Sequence, residues 1–192
     1  VSNKSSIKTA QDILETYKRN GRVLVGSTSD LDDVTSLHLG QSLKIPVELV
    51  RYKNATQMAT ELAENSIDLT IGTVGASAYQ AFADHGLLRV VAVIDATRSP
   101  YMPNVPTLTE QGFAKVEGFR WTAFFVSAAM PQARRGAIAA AISMALRSAG
   151  AANYELLPGL PQRFLRSAEE ITAIQQHEAA VIAAQIKAGG NL

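Results

Sequence analysis

Apolar positions along the first half of the chain recur in two alternating periods. Over residues 6–17, Ile7, Ala10, Ile13, Leu14 and Tyr17 fall on one face of a 3.6-residue turn, and Asn20-Gly21 is a stop signal, so a helix is expected there. RVLVG at residues 22–26 is a short apolar run with β-branched members, which predicts a strand. The polar STSDLDD after it is loop and cap material for a helix reaching about Leu43. The alternation then repeats. PVELVR at 46–51 predicts a strand, 54–64 a helix with Ala55, Met58 and Leu62 on one side, and IDLTIG at 67–72 another strand. A helix at 76–83 and a strand at 88–94 (LRVVAVI) follow, and FRWTAFFVSA at 119–128 predicts one more strand.

Strands separated by helices of about ten residues imply βαβ units and a mostly parallel sheet covered on both faces. The uninterrupted VVAVI fits a central strand. Near 128–131 the character changes to two alanine-rich helices, at 131–149 and 168–188, joined by the loop-like NYELLPGLPQRF. The expected organisation is an α/β lobe at 1–128 and a helical segment at 129–192.

Composition narrows the partners. Of 192 residues 47% are hydrophobic, enough for a substantial core, and 18 Lys and Arg against 17 Asp and Glu leave a net charge of +1. That balance provides no field for a polyanion, so nucleic acid is not an expected partner. With no cysteine, disulfides, thiol nucleophiles and thiolate metal sites are excluded. No apolar run has the length of a membrane span, and VSNKSSIKTAQ has neither the charged nor the apolar part of a signal peptide; the chain is expected either never to have had a signal or to have lost it.

In an open parallel sheet, ligands bind beyond the carboxyl ends of the strands, which directs attention to two polar loops. Gly26-Ser27-Thr28-Ser29-Asp30 offers small hydroxyls and the N–H groups of a coming helix, suited either to a ligand carboxylate or to ordinary N-capping by Ser29 or Asp30. Gly72-Thr73-Val74-Gly75-Ala76-Ser77 either admits a ligand to its backbone or is a plain βα turn. Lys53 either meets an anion or begins a helix. Trp121 either walls a cleft or lies in the core. Asp32 and Asp33 read as a solvated helix start complementing the helix dipole, not an acid/base pair. His38, His85 and His177 lack metal-ligand spacing, with His85 read as satisfying terminal helix carbonyls. GxSxG, P-loop and GxGxxG motifs are missing from the sequence, so no enzyme class and no cofactor is signalled.

The passage at 98–112, R-S-P-Y-M-P-N-V-P-T-L-T-E-Q-G, closely resembles the R-x-x-x-x-P-D-V-P-T-x-x-E-x-G signature of the substrate-binding proteins of tripartite tricarboxylate transporters, the Bug or TctC family. VRYKNATQMATELAENSIDLTIG is similar to that family's V-P-Y-K-G…L-x-x-G-x-V-D, and LLRVVAVIDATR to its L-R-A-L-A-V-T-x-x-x-R. The segment from Trp121 to Ala129-Met130-Pro131 resembles W-x-G…P-A-G-T-P, and Ser167-Ala168-Glu169-Glu170 resembles T-P-E-E-F.

The resemblance implies a type II periplasmic-binding-protein-like lobe and a periplasmic receptor, not an enzyme, that passes a small carboxylated metabolite to membrane permease subunits. Ser27, Thr28, Ser29, Asp30, Gly72, Thr73 and Val74 are then the expected ligand-binding residues. Departures cluster at that edge: Ser27 to Asp30 replace a glycine-rich loop, Gly72 and Thr73 stand where an acid or amide is common, and Arg51 and Asn54 replace a Pro and a Gly. Family members have two lobes, and this chain resembles the second lobe with the C-terminal helices, which in the family pack on the first. The chain is therefore expected to be a fragment, or to pack these helices on its own sheet or on a second copy. An alternative of similar length and βα alternation is the effector domain of a LysR-type regulator, against which the proline passage speaks.

Overall fold

The computed structural model describes residues 1–73, 77–99, 102–116, 123–147 and 168–189. It divides into two compact units, Val1–Phe119 and Arg120–Leu192.

In the first unit, α1 (Ala10–Asn20) begins later than the apolar period suggests because Thr9 caps it. The Thr9 hydroxyl accepts from the Asp12 N–H while the Asp12 carboxylate accepts from the Thr9 N–H, a capping box that satisfies donors left over in the first turn. Gly21, at φ 72°, ends the helix in the left-handed region, its N–H donating to the Tyr17 carbonyl. The alternating elements follow: β1 (Leu24–Ser27), α2 (Asp30–Leu43), β2 (Glu48–Arg51), α3 (Ala55–Ala63), β3 (Leu69–Thr70) and α4 (Ser77–Asp84). The strands form a parallel sheet of order β2-β1-β3, with Ser27 opposite Arg51 and Gly26 opposite Thr70.

Period-two alternation divides the core between the two faces of this sheet. Val23, Val25 and Leu69 join Ala10 and Ile13 of α1 and Leu39 and Leu43 of α2. Leu24 and Val50 turn the other way, onto Met58, Leu62 and Ala63 of α3 together with Ile67 and Leu88. Burying one such Leu, Ile or Met side chain stabilises the fold by roughly 1.5–3 kcal/mol. At Gly26 the helix lies so near the strand that a Cβ would stand 2.6 Å from Ile67 Cδ1 and 2.8 Å from Met58 Sδ.

The expected central strand at 88–94 is not one. Among the described residues it makes only isolated bridges, Ser2 antiparallel to Leu88 and Val93 parallel to Thr107. The segment threads between residues 1–3 and 106–108, and each neighbour stays in register for too short a distance to build a ladder. Arg89 ties it to the amino-terminal segment, donating to the carbonyls of Asn3, Ser5 and Ile7. From the proline passage, Gln111 donates to the Val91 carbonyl and accepts from the Ala10 N–H, joining the segment to α1. Arg98 Nε meets both oxygens of Glu110, at 3.0 and 2.9 Å, and Glu110 accepts from the Thr107 N–H. The passage is thus a stiff clasp on the core. Pro100 and Tyr101 lie outside the described residues.

The second unit contains α5 (Gln132–Arg147) and α6 (Ala168–Gly189). The strand expected at 119–128 is not formed over 123–127, where Phe124 and Phe125 are exposed; its first four residues, with Trp121, lie outside the described residues. Among the described residues no helix is long and apolar enough to cross a membrane.

Candidate functional site

All three strands run parallel, so their carboxyl ends share one edge, and both loops singled out by sequence leave from it. Ser27 ends β1 at the centre and is fully buried, whereas Thr28, Ser29 and Asp30 are exposed. Beyond β3, Gly72 and Thr73 are exposed as well. Val74 lies outside the described residues. The tight parallel register therefore brings 27–30 and 72–73 to the same side of the sheet.

The first loop is heavily bonded within itself. Ser29 is the N-cap of α2, its hydroxyl accepting from the Asp32 N–H at 3.2 Å. The Thr28 N–H and hydroxyl both donate to Asp32 Oδ2, at 3.0 and 2.8 Å. The Ser27 hydroxyl donates to Asp33 Oδ1 and lies 3.1 Å from the Ser29 carbonyl. The hydroxyls of Ser27 and Thr28 are thus engaged by the protein's own acceptors, and that of Ser29 is held as an acceptor by the helix. The N–H groups at the head of α2 have no intrahelical acceptor, as in any first helical turn.

Asp32 and Asp33 overturn the expectation of a solvated helix start: both are buried, at 3% and 1% exposure. A carboxylate can be buried only if its oxygens are met by donors. Thr28 supplies them to Asp32; Ser27 and Arg51 supply them to Asp33. Arg51, the last residue of β2, reaches across the loop, its Nη2 bridging buried Asp33 and exposed Asp30, the latter at 2.8 Å. The hydrogen bond to Asp30 and the charge of Asp33 hold the guanidinium above its ordinary pKa. Nothing in local sequence marks Arg51, because its partners are 18 and 21 residues away in the chain. The one available sign is the excess of acids, Asp30, Asp32 and Asp33 in a single first turn, more than helix capping requires.

The remaining edge is built by β2 and β3. Asn54 caps α3 by accepting from the Gln57 N–H, and the neighbouring Lys53 is exposed. Tyr52 donates to Glu61, and burial together with that carboxylate pushes its phenol up to about 12. At Gly72 a Cβ would lie 2.7 Å from the ring of Tyr79 on α4, so this backbone stays bare and the half-buried ring leans on it. His85 Nδ1 donates to the Ala81 carbonyl at the end of α4, as its place in the sequence suggests. Among the described residues no group of His, Cys, Asp and Glu is arranged for a metal ion. The edge offers two cations, Arg51 and Lys53, hydroxyls, a bare glycine backbone and one exposed carboxylate, which suits polar recognition of a small molecule.

Known structures share this architecture. The R. palustris protein Rpa4515 with adipate superposes at a TM-score of 0.67 and 21% identity, over 97% of this chain and 62% of that one. A TctC solute-binding protein from Polaromonas, without ligand, matches at 0.68 and 20%, over 97% and 64%. MatC from Rhodopseudomonas palustris with bound malate matches at 0.67 and 19%, over 93% and 60%. This chain therefore spans about three fifths of the length of these structures. A comparison with curated proteins finds no match. At these identities the structures establish a periplasmic-binding-protein-like α/β fold. The sequence profile described as the tripartite tricarboxylate transporter family receptor, TctC, matches residues 1–187, and the chain belongs to that family.

Proposed function

We propose that the chain is part of an extracytoplasmic solute-binding receptor that takes up a small carboxylated metabolite and presents it to the membrane permease of a tripartite transporter. The match of residues 1–187 to the receptor family carries this reading. The geometry supports a location for it at the carboxyl edge of the sheet, where Thr28, Ser29, Asp30, Gly72 and Thr73 are exposed and Ser27 lies beneath. Val74, the next residue in the chain after Thr73, is proposed with them. Adipate and malate in the solved relatives favour a small dicarboxylate or a compound close to one.

In this reading the protein works in the periplasm and makes or breaks no bond. The ligand is held by hydrogen bonds and charge, and enclosed as a second lobe closes over it. Self-association through the apolar residues Ile138 and Ile142 of α5 and Ile171, Ile174, Val181 and Ile182 of α6 is the alternative to a lobe supplied elsewhere in the protein, and a solution mass measurement separates the two. No observation favours a LysR-type effector domain.

The test is an NMR titration of the nitrogen-labelled chain with malate, adipate, citrate, glutamate and benzoate. Amide shifts confined to residues 28–30, 51–53 and 72–73 are expected with at least one carboxylate. Unchanged spectra with all five at millimolar concentration would overturn the reading.

A further inference from the structure

We infer that Arg51 is a specificity-determining residue of this edge: its guanidinium meets a carboxylate of the ligand in exchange for Asp30. The inference rests on the proposed receptor function and adds to it a residue outside the two loops named above.

The argument lies in the inequality of the two partners of Arg51. The Asp33 side chain is 2% exposed and also accepts from Ser27, so it is a fixed support beneath the guanidinium. The Asp30 side chain is 86% exposed and the arginine itself 57%, so the outer half of the bridge is a solvated surface pair. Such pairs contribute little and exchange readily. A ligand carboxylate approaching along the edge meets a guanidinium whose position is already set from below. It displaces only the weakly held outer carboxylate and gains a planar, two-pronged contact. Both contacts of Arg51 are made by Nη2, and among the described residues no acceptor meets Nε or Nη1.

The neighbouring loop strengthens the case. The Thr28 N–H and hydroxyl serve Asp32, and the Ser27 hydroxyl serves Asp33, so those donors are engaged before a ligand arrives. Three acids in the first turn of α2 would repel an anion, and Arg51 is the cation that pairs with two of them, Asp30 and Asp33. Arg51 therefore both lowers the repulsion and supplies the attraction.

Malate and adipate serve as probes, read by the Arg51 side-chain Nε–H resonance and by calorimetry. The Arg51 resonance is expected to move on titration together with the amides of 28–30. Arg51→Gln should weaken binding about tenfold or more, the scale of one lost charge-assisted contact. Asp30→Asn should strengthen it several-fold, because the competing carboxylate is gone. A merely structural role for Arg51 predicts weaker binding in both variants, since both break the same bridge; that result would overturn the inference, as would amide shifts that leave the Arg51 resonance and the Arg51→Gln affinity unchanged. In the latter case the receptor reading stands, whereas silence of every amide with these two probes and with citrate, glutamate and benzoate removes the reading and the inference together. Melting curves of both variants confirm that the compared proteins are folded.

Discussion

Ile7, Met58 and Leu62 in the first unit are each at most 1% exposed, whereas no described side chain of α5 or α6 in the second unit is buried. Both regions are rich in apolar residues, yet they are held in different ways. The helices of the first unit put Leu, Ile and Met against a sheet. In α5, the run Ala-Ile-Ala-Ala-Ala-Ile offers mostly methyl groups, which bury little area, and alanine's helix propensity favours the helix locally. Apolar content by itself therefore does not measure a core. Size and a facing surface decide how much of it becomes stability.

The largest expected effect tests this contrast directly. Leu62→Ala should cost about 2–5 kcal/mol in urea unfolding, the range for a fully buried leucine, while Ile142→Ala in α5 should cost about 1 kcal/mol. Equal costs would break the contrast. The glycines sharpen it, because the same substitution should carry opposite signs. Gly26→Ala forces a methyl group against Met58 and Ile67 and should destabilise by about 1–3 kcal/mol. Gly136→Ala on α5 meets nothing within 4 Å and should stabilise by roughly 0.5–1 kcal/mol. Thermal melting of the two variants decides the matter.

A smaller effect appears in alkali. The Tyr52 phenol has a pKa raised from 10.0 to about 12, chiefly by burial and then by Glu61, so the folded state prefers it protonated. Its contribution is complete below pH 10 and is lost as pH rises toward 12. Tyr52→Phe should flatten the fall in melting temperature across that window. The smallest effect lies in acid. Bonding to the Thr107 N–H and then to Arg98 holds Glu110 below its ordinary pKa, so its contribution is present above the usual glutamate range and fades as pH falls through the lowered value. Glu110→Gln should reduce the acid sensitivity of melting only slightly, because the pair is exposed.

Particular residues show how far the sequence was legible. The helix at 30–43 follows from its cap residues and the one at 55–63 from its apolar period, and Ser29 caps α2 as its residue type suggests. Residues 88–94 mislead, because an apolar run reports burial and not hydrogen-bonded pairing. Asp32 and Asp33 mislead for the opposite reason. Adjacent acids in a first turn normally face water, and here each meets donors that no local pattern reveals. At the candidate site the two loops were legible as polar strand ends, while Arg51 was visible only as a departure from the family's usual proline and through the excess of acids at the head of α2.

By itself the sequence determined the βα alternation, the first caps and, through the clasp from Arg98 to Gly112, the family. Tertiary structure decided the strand order, the burial of Asp33 and the reach of Arg51 over the edge. The physical reason is range. Turn preference and period act within a few residues, whereas desolvating Asp33 required Ser27 and Arg51 to arrive from two strands that only the parallel register of β1 and β2 sets side by side.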